Sequence, residues 1–463
     1  MLRKFIGDRA FYRRVIAIAL PIIIQNGIGN FVSLLDNIMI GQIGTVQMSG
    51  VSIVNQLIFV FNLCIFGATS GAGIFTAQFF GSKDNEGVRH TFRFKILSGA
   101  LISAVGIVIF LLFGQPLIQL YLKGEGDPAN ALQMLEYGQQ YLLVMLWGLP
   151  AFAISNAYAS TLRESGETIV PMIASTSAVF VNLFLNWVLI FGNLGAPELG
   201  VEGGAIATVI SRYVELAIVT AWTHLHSQKM PFIRGAFRSM AIPGQLFWTI
   251  MRKGMPLLVN EALWSIGMVM LNQCYSTRGL DVVPALNISS TIYNLSGVVF
   301  MALGNAVGII IGQMLGAGEP EETVRSEDRK LIFTSVVSSL VFAGILAAVS
   351  RLFPTLYNTS DEVRSLATKL ICISALIMPF NAYTHAIYFT LRSGGQSLVT
   401  FLFDSCFVWV FCVPLALILS RLTSMPILWL YLTCQSAELI KCALGTYMIK
   451  QGKWIQNLTK KAA

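Results

Sequence analysis

The sequence predicts an all-α polytopic membrane protein with about twelve transmembrane helices, on the basis of composition, segment length and repetition. Of its 463 residues, 55% are hydrophobic and only 12% are charged, whereas soluble domains carry about 25% charged residues. Apolar runs recur from end to end, and each is long enough to cross about 30 Å of hydrocarbon as a helix. One such run is compatible with a buried helix of a soluble protein, but a dozen in series are not.

The spans are separated by charged segments and by segments rich in glycine and proline. The first span contains Pro21, where we expect the helix to bend, because proline removes a backbone hydrogen bond. We place the spans at residues 15–40, 51–80, 92–121, 132–161, 168–191, 201–223, 255–277, 283–315, 331–357, 364–391, 397–420 and 426–449.

The net charge of +8 reports topology, and we expect no nucleic-acid partner. Basic residues cluster before the first span and in every second loop, as in Arg13 and Arg14 and in the segment 229–253. Because cytoplasmic loops carry an excess of lysine and arginine, both termini are predicted to lie in the cytoplasm of a cell inner or plasma membrane. The opposite loops contain only Lys123, Arg278, Arg364 and Arg421.

The two halves of the chain resemble each other. Pro21 and Pro256 are separated by 235 residues, and later in each half the order Pro, Leu-Arg, Gly recurs at an offset of 229. We therefore divide the chain into an N-terminal six-helix bundle (1–230), a cytoplasmic connector (231–254) and a C-terminal six-helix bundle (255–463). The offset of 235 also relates Gly73, Gln78 and Gly81 to Gly308, Gln313 and Gly316.

An even number of spans in each half makes the repeats parallel, as in transporters whose halves are related by an axis along the membrane normal. A cleft between two such bundles would bind a substrate. Aromatic rings can receive cations over their faces, although core packing is the more common role for any one of them. The candidate cleft residues are Trp264, Tyr293, Phe300, Asn381 and Tyr383.

Asp36 is the one charged residue of the first apolar run. A charged side chain at the centre of a membrane helix costs roughly 2.5–3.5 kcal/mol on insertion scales, so it is usually retained for function. Asn182 and Asn186, at i and i+4, share a helix face. With Asp36 and the Thr208 hydroxyl they would form an all-oxygen shell for Na⁺. Proton uptake at Asp36 is equally compatible, and a non-titrating, hydrogen-bonded aspartate is the structural alternative.

Three segments resemble the multidrug and toxic compound extrusion (MATE) transporters, bacterial type, of the MOP flippase superfamily. They are LLDNIMIGQIG at 34–44, NLFLNWVLIFG at 182–192 and LGVEGGAIAT at 199–208. The resemblance implies a V-shaped pair of bundles. It also implies an antiporter that exports organic, mostly cationic compounds in exchange for Na⁺ or H⁺. Asp36 matches the acid of the family's first helix.

The C-terminal half carries two acids within spans, Glu261 and Asp404. Members of the NorM-type branch carry a glutamate about one turn beyond Glu261, where this chain has Trp264, and a further acid where it has Asn381. Either acid is a candidate for coupling. The alternatives are a position near the cytoplasmic mouth for Glu261 and a pairing with His385 or a hydroxyl for Asp404.

Two further pairs of opposite charge, Arg212 with Glu215 and Glu438 with Lys441, are spaced i,i+3. Since residues at this spacing face each other on a helix, we predict that each pair neutralises itself.

No phosphate-binding loop, catalytic triad or zinc spacing is present, so we expect neither an enzyme nor a cofactor beyond a coupling Na⁺. The seven cysteines fall within spans and are interpreted as small apolar residues. We expect a monomer in the lipid bilayer. Two alternative functions remain at this point: a lipid-linked oligosaccharide flippase of the same superfamily, and a channel or scaffold.

Overall fold

The computed structural model describes residues 4–122, 128–279, 281–357 and 359–462. Within these residues every long element is a helix. In chain order the helices are α1 (Arg9–Ile43), α2 (Thr45–Gly81), α3 (Asn85–Leu122), α4 (Pro128–Met145), α5 (Gly148–Glu164), α6 (Ile169–Phe191), α7 (Gly200–Leu225), α8 (Gly244–Ser276), α9 (Val282–Ala317), α10 (Glu321–Val349), α11 (Asp361–Ser393), α12 (Ser397–Phe401), α13 (Val413–Leu422), α14 (Ile427–Gln451) and α15 (Thr459–Ala462).

Eleven of the described helical segments are long and apolar enough to cross a membrane. Helices α4 and α5 form a twelfth span if they are taken together, with a bend of 48° between them. The break lies four residues before Pro150, which has no N–H to donate to the carbonyl of Leu146. The predicted polytopic, all-α class is therefore confirmed, and the predicted fourth span is bent.

The span Ser397–Leu422 is not a regular α-helix. Between α12 and α13 it contains two π-helical segments, Leu402–Cys406 and Val408–Cys412. Asn260 of α8 packs against the first segment, where its side-chain oxygen accepts hydrogen bonds from the backbone N–H of Ser405 (3.2 Å) and its hydroxyl (2.8 Å). A side chain from α8 thus satisfies a backbone donor at the irregular turn, as buried polar groups require.

The repeat-related ends of α2 and α9 cross at glycines. A Cβ on Gly81 would lie 1.9 Å from the carbonyl oxygen of Gln313, and a Cβ on Gly316 would lie 1.8 Å from that of Gln78. The contact is reciprocal, since residues related by the offset of 235 exchange roles. Only glycine permits backbones to approach so closely, which explains why the repeat retains it at both positions.

The chain divides into two compact units. One comprises Met1–Ile23, Ala77–Lys83 and Thr249–Ala463, and the other comprises Ile24–Thr76 and Asp84–Trp248. The division passes through α1 two residues after Pro21, so the early part of α1 packs in the core of the first unit, with α9, α10 and α11. The division into 1–230, 231–254 and 255–463 follows the sequence repeat rather than these compact units, and it stays a prediction.

The connector is fixed to the second unit by Arg93 of α3, which is 7% exposed. Its guanidinium donates to the carbonyls of Ala236 (2.8 Å), Gly235 (3.0 Å) and Ala241 (3.1 Å). Three charge-assisted hydrogen bonds from one arginine hold this part of the predicted cytoplasmic connector against α3.

Candidate functional site

Three helices of the second unit bring the polar residues around Asp36 together. Asp36 lies on α1, Asn182 and Asn186 on α6, and Thr208 on α7. Helices α6 and α7 pack closely because a Cβ on Gly203 would lie 2.5 Å from the carbonyl oxygen of Leu189. The glycines at the start of α7 thus allow the approach that sets Thr208 beside the amides of α6.

The Asp36 carboxylate is half-buried and surrounded by amides. Nδ2 of Asn186 donates to Oδ1 of Asp36 at 2.8 Å, and Asn186 is only 2% exposed. Within the described part of the chain, Asp36 forms no ion pair with lysine, arginine or histidine. The Asp36 carboxylate therefore has no fixed positive charge beside it among the described residues.

The Asn182 amide contacts both carboxylate oxygens. One of its terminal atoms lies 3.0 Å from each of Oδ1 and Oδ2 of Asp36, and the other lies 3.2 Å from Oγ1 of Thr208. Beside an ionised carboxylate the near atom must be the amide nitrogen, because carboxylate oxygens only accept. Beside a protonated carboxyl group it can be the oxygen. The hydrogen bonds that Asn182 can make to Asp36 therefore depend on whether the carboxyl group is ionised.

One acceptor at this site has no partner within the described residues: Oδ1 of Asn186 is buried and makes no hydrogen bond. Buried polar oxygens are rarely left in this state. Together with the carboxylate, the Asn182 amide and the Thr208 hydroxyl, it supplies the oxygen ligands that a hard cation prefers. These residues therefore fit Na⁺ as a transported ion, and they fit a proton equally well.

Tyr141 of α4 completes the site and was not predicted from the sequence. Its hydroxyl donates to Oδ1 of Asn55 at 3.4 Å and interacts with the Thr208 side chain, and its ring is 4% exposed. The sequence shows only that Asn55 and Tyr141 each lie within an apolar span. Those two positions do not indicate that the side chains contact each other.

In the C-terminal half, Asp404 forms an ion pair that the sequence did not predict. Nζ of Lys441 donates to Oδ1 of Asp404 at 2.8 Å, and Nδ2 of Asn260 donates to Oδ2 at 3.1 Å. The expected pairing of Glu438 with Lys441 is therefore wrong, since Glu438 instead accepts from the Thr384 hydroxyl. The long lysine side chain reaches a carboxylate on the neighbouring span, which spacing along one helix cannot reveal.

The other predicted intrahelical pair is present, with Arg212 and Glu215 3.8 Å apart. Glu261 is half-buried and accepts a hydrogen bond from the Tyr388 hydroxyl at 3.3 Å. The nearby Lys253 instead donates to the carbonyl of Gly395 at 2.6 Å. Glu261 and Asp404 thus differ, because only Asp404 has an ion-pair partner within the described residues.

The residues suggested for a substrate cleft have different environments. Phe300 is 4% exposed and lies in a core of α9, α10 and α11, so packing is its role in this structure. Asn381 donates to the Tyr293 hydroxyl at 2.7 Å, and the Tyr383 hydroxyl lies 2.7 Å from that of Thr446. Trp264 is 40% exposed.

The described residues contain no cluster of three or more histidine, cysteine, aspartate or glutamate side chains placed to hold a metal ion. The arrangement around Asp36 consists of one carboxylate surrounded by neutral amide and hydroxyl groups.

Comparisons with known proteins identify relatives of nearly the same length. The chain is 24% identical to the "Probable multidrug resistance protein NorM" of Thermotoga maritima over 96% of its own length and 93% of the relative's. It is 22% identical to the "Probable multidrug resistance protein YoeA" of Bacillus subtilis over 94% and 92%.

Solved structures share the fold. One is described as the outward-facing conformation of a multidrug resistance MATE family transporter of the MOP superfamily, with a TM-score of 0.83, 16% identity and 98% coverage of both chains. Another, a MOP superfamily transporter from Pyrococcus furiosus, has a TM-score of 0.81 and 18% identity with the same coverage. The MatE family model matches residues 21–188 and 256–418, which is most of the chain and includes both repeats. This chain therefore belongs to the MatE family of membrane transporters and is not an enzyme.

Proposed function

We propose that this protein is a secondary antiporter of the plasma membrane that exports organic, mostly cationic compounds in exchange for Na⁺ or H⁺. The observation that carries the proposal is the half-buried Asp36 carboxylate, which is held by Asn182 and Asn186 and has no cationic side-chain partner among the described residues. The chain matches two relatives named as probable multidrug resistance proteins over nearly its full length, and this supports the export of drugs.

In the proton-coupled form, the proton binds an oxygen of Asp36. The ionised carboxylate accepts from the amide nitrogen of Asn182. The protonated group donates to the amide oxygen after the Asn182 side chain turns. Because Asn182 also contacts Thr208 on α7, a change in charge on α1 would alter hydrogen bonds on α6 and α7 together.

In the Na⁺-coupled form, the ion is bound by the carboxylate and by the side-chain oxygens of Asn182, Asn186 and Thr208. Oδ1 of Asn186 gains a partner at that step. In either form, the cation drives export by alternating access only if it binds one conformation more tightly than the other. A difference of about 1.4 kcal/mol shifts the populations tenfold.

The test is uptake of a fluorescent organic cation by inside-out proteoliposomes with Na⁺ and pH gradients imposed separately. We expect one gradient to drive uptake in the native protein and neither to do so in Asp36→Asn. The matched control is Asp361→Asn, whose carboxylate is 93% exposed at the start of α11 and which should transport normally. Gradient-driven uptake by Asp36→Asn would contradict the proposal.

Two other outcomes would replace the proposed function. Flux that neither gradient affects would favour a channel. Transport of a lipid-linked pyrophosphate with no response to organic cations would favour a flippase.

A further inference from the structure

A groove between α1, α9 and α10 has no role in the proposed transport cycle. It lies wholly within the first compact unit and has a volume of about 480 Å³. Its walls are almost entirely aliphatic and aromatic. They include Ile16 and Leu20 of α1, Val299 and Leu303 of α9, and Phe333 and Val337 of α10.

The groove is open at its surface. Its outer wall includes the exposed side chains of Ile16 (55%), Leu20 (48%) and Val337 (41%). Each of them belongs to a helix that is long and apolar enough to cross a membrane. An apolar groove at this depth does not hold water, because water there would lack hydrogen-bond partners. The lipid bilayer around these helices supplies hydrocarbon chains that can fill the groove.

One end of the groove is basic. Arg13 precedes Ile16 and Leu20 by three and seven residues, so it lies on the same stripe of α1. Arg329 precedes Phe333 and Val337 by four and eight residues, so it continues their stripe on α10. Both arginines are exposed, and neither forms an ion pair in the described part of the chain.

The acidic side chains at this end offset the two arginines only in part. Asp328, which precedes Arg329 and interacts with it, is buried and accepts a hydrogen bond from the Thr390 hydroxyl. Glu327 is 2.6 Å from Lys330, which neutralises it. Asp8 accepts from the backbone N–H of Phe11 at 2.8 Å and so caps the first turn of α1. Arg14 donates to Gln313 at 3.2 Å. Arg9, also exposed, adds to the positive charge.

We propose that this groove is a binding site for one acyl chain of an anionic phospholipid, whose phosphate is held by Arg13 and Arg329. An aliphatic channel next to exposed guanidinium groups matches an acyl chain attached to a phosphate. Arginine favours phosphate because its planar donors bind two oxygens at once. Such a lipid would pack the early part of α1 against α9 and α10.

The test uses the full-length protein in phosphatidylcholine nanodiscs that contain phosphatidylglycerol with a photoactivatable acyl chain. Illumination should label peptides of α1 and α10. Unlabelled phosphatidylglycerol should compete at lower concentration than added phosphatidylcholine. The preference should fall about fivefold for each arginine replaced in Arg13→Gln and Arg329→Gln. The control Arg364→Gln/Arg421→Gln, at the other ends of their spans, should keep the preference.

A second variant tests the groove itself. Ser338→Phe places a ring in the groove wall and should abolish labelling of α1 and α10 in protein that elutes normally and keeps its melting temperature. Equal competition by phosphatidylcholine, or an unchanged preference in the double arginine variant, would overturn the proposal. Competition by a free fatty acid as strong as that by phosphatidylglycerol would also reject a phospholipid site.

Discussion

Nδ2 of Asn186 lies 2.8 Å from Oδ1 of Asp36, while Oδ1 of the same amide is buried and has no partner within the described residues. One side chain therefore both stabilises the carboxylate and presents a free acceptor beside it. This combination fits the proposed Na⁺-coupled form, in which the acceptor gains a partner when the ion binds.

Replacing Asn186 tests this directly. Asn186→Leu removes the charge-assisted hydrogen bond to the ionised carboxylate, which is worth about 1.5–3 kcal/mol. A coupling proton should then bind at least about tenfold more tightly, whereas loss of the Oδ1 ligand should weaken the apparent affinity for Na⁺. Asn186→Asp adds a carboxylate and should retain or raise it. The measurement is transport rate against Na⁺ concentration or pH. Asn272→Leu, at an exposed position on α8, is the control, and equal effects in both leucine variants would refute the assignment.

Separating the Asp404–Lys441 pair should reduce stability. Lys441→Met leaves a buried carboxylate uncompensated, which costs about 3–5 kcal/mol and should lower the melting temperature in detergent. Asp404→Leu/Lys441→Met removes both charges and should recover most of the loss. Lys450→Met, at the exposed end of α14, should be neutral. If the double variant is as unstable as the single one, the pair is not the cause.

The glycine crossing of α2 and α9 should not tolerate even a methyl group. Gly81→Ala and Gly316→Ala each place a Cβ within 2 Å of a carbonyl oxygen, so the helices must separate. We expect a loss of about 1–3 kcal/mol, typical of overpacking. Gly344→Ala on α10 meets nothing within 4 Å and should be neutral or slightly stabilising. Thermal unfolding of the three variants would distinguish these outcomes.

The segment after α14 is part of the folded core. Trp454 is 1% exposed, and Gln78 accepts from the N–H of Leu458 (2.7 Å) and donates to the carbonyl of Gln456 (3.1 Å). Trp454→Ala should therefore cost about 3–5 kcal/mol. Trp429→Ala, at a residue that is 63% exposed, should cost much less in detergent. Similar melting temperatures for the two variants would show that the segment is dispensable.

The spans could be predicted because they depend on local properties. A run of about twenty apolar residues matches the thickness of the bilayer wherever it lies in the chain. Even the bent fourth span has a local cause at Pro150, although its 48° angle was not foreseen. Asn182 and Asn186 were grouped correctly because their i,i+4 spacing determines a shared face before any packing occurs.

Partners on different helices could not be predicted in this way. Lys441 was assigned to Glu438 by spacing, but it pairs with Asp404 because α14 packs against the π-helical turn that contains it. Tyr141 and Asn260 were not recognised, since nothing near them in the chain indicates the groups that they contact.

The sequence by itself therefore determined the membrane class, the repeat and the acid on α1, since hydrophobic length and helical periodicity are properties of single segments. Tertiary structure decided which charges are neutralised, which buried acceptor has no partner among the described residues, and which glycines pack against the backbone of another helix. These depend on how helices distant in sequence pack, and packing places side chains within the 3 Å that hydrogen bonds require.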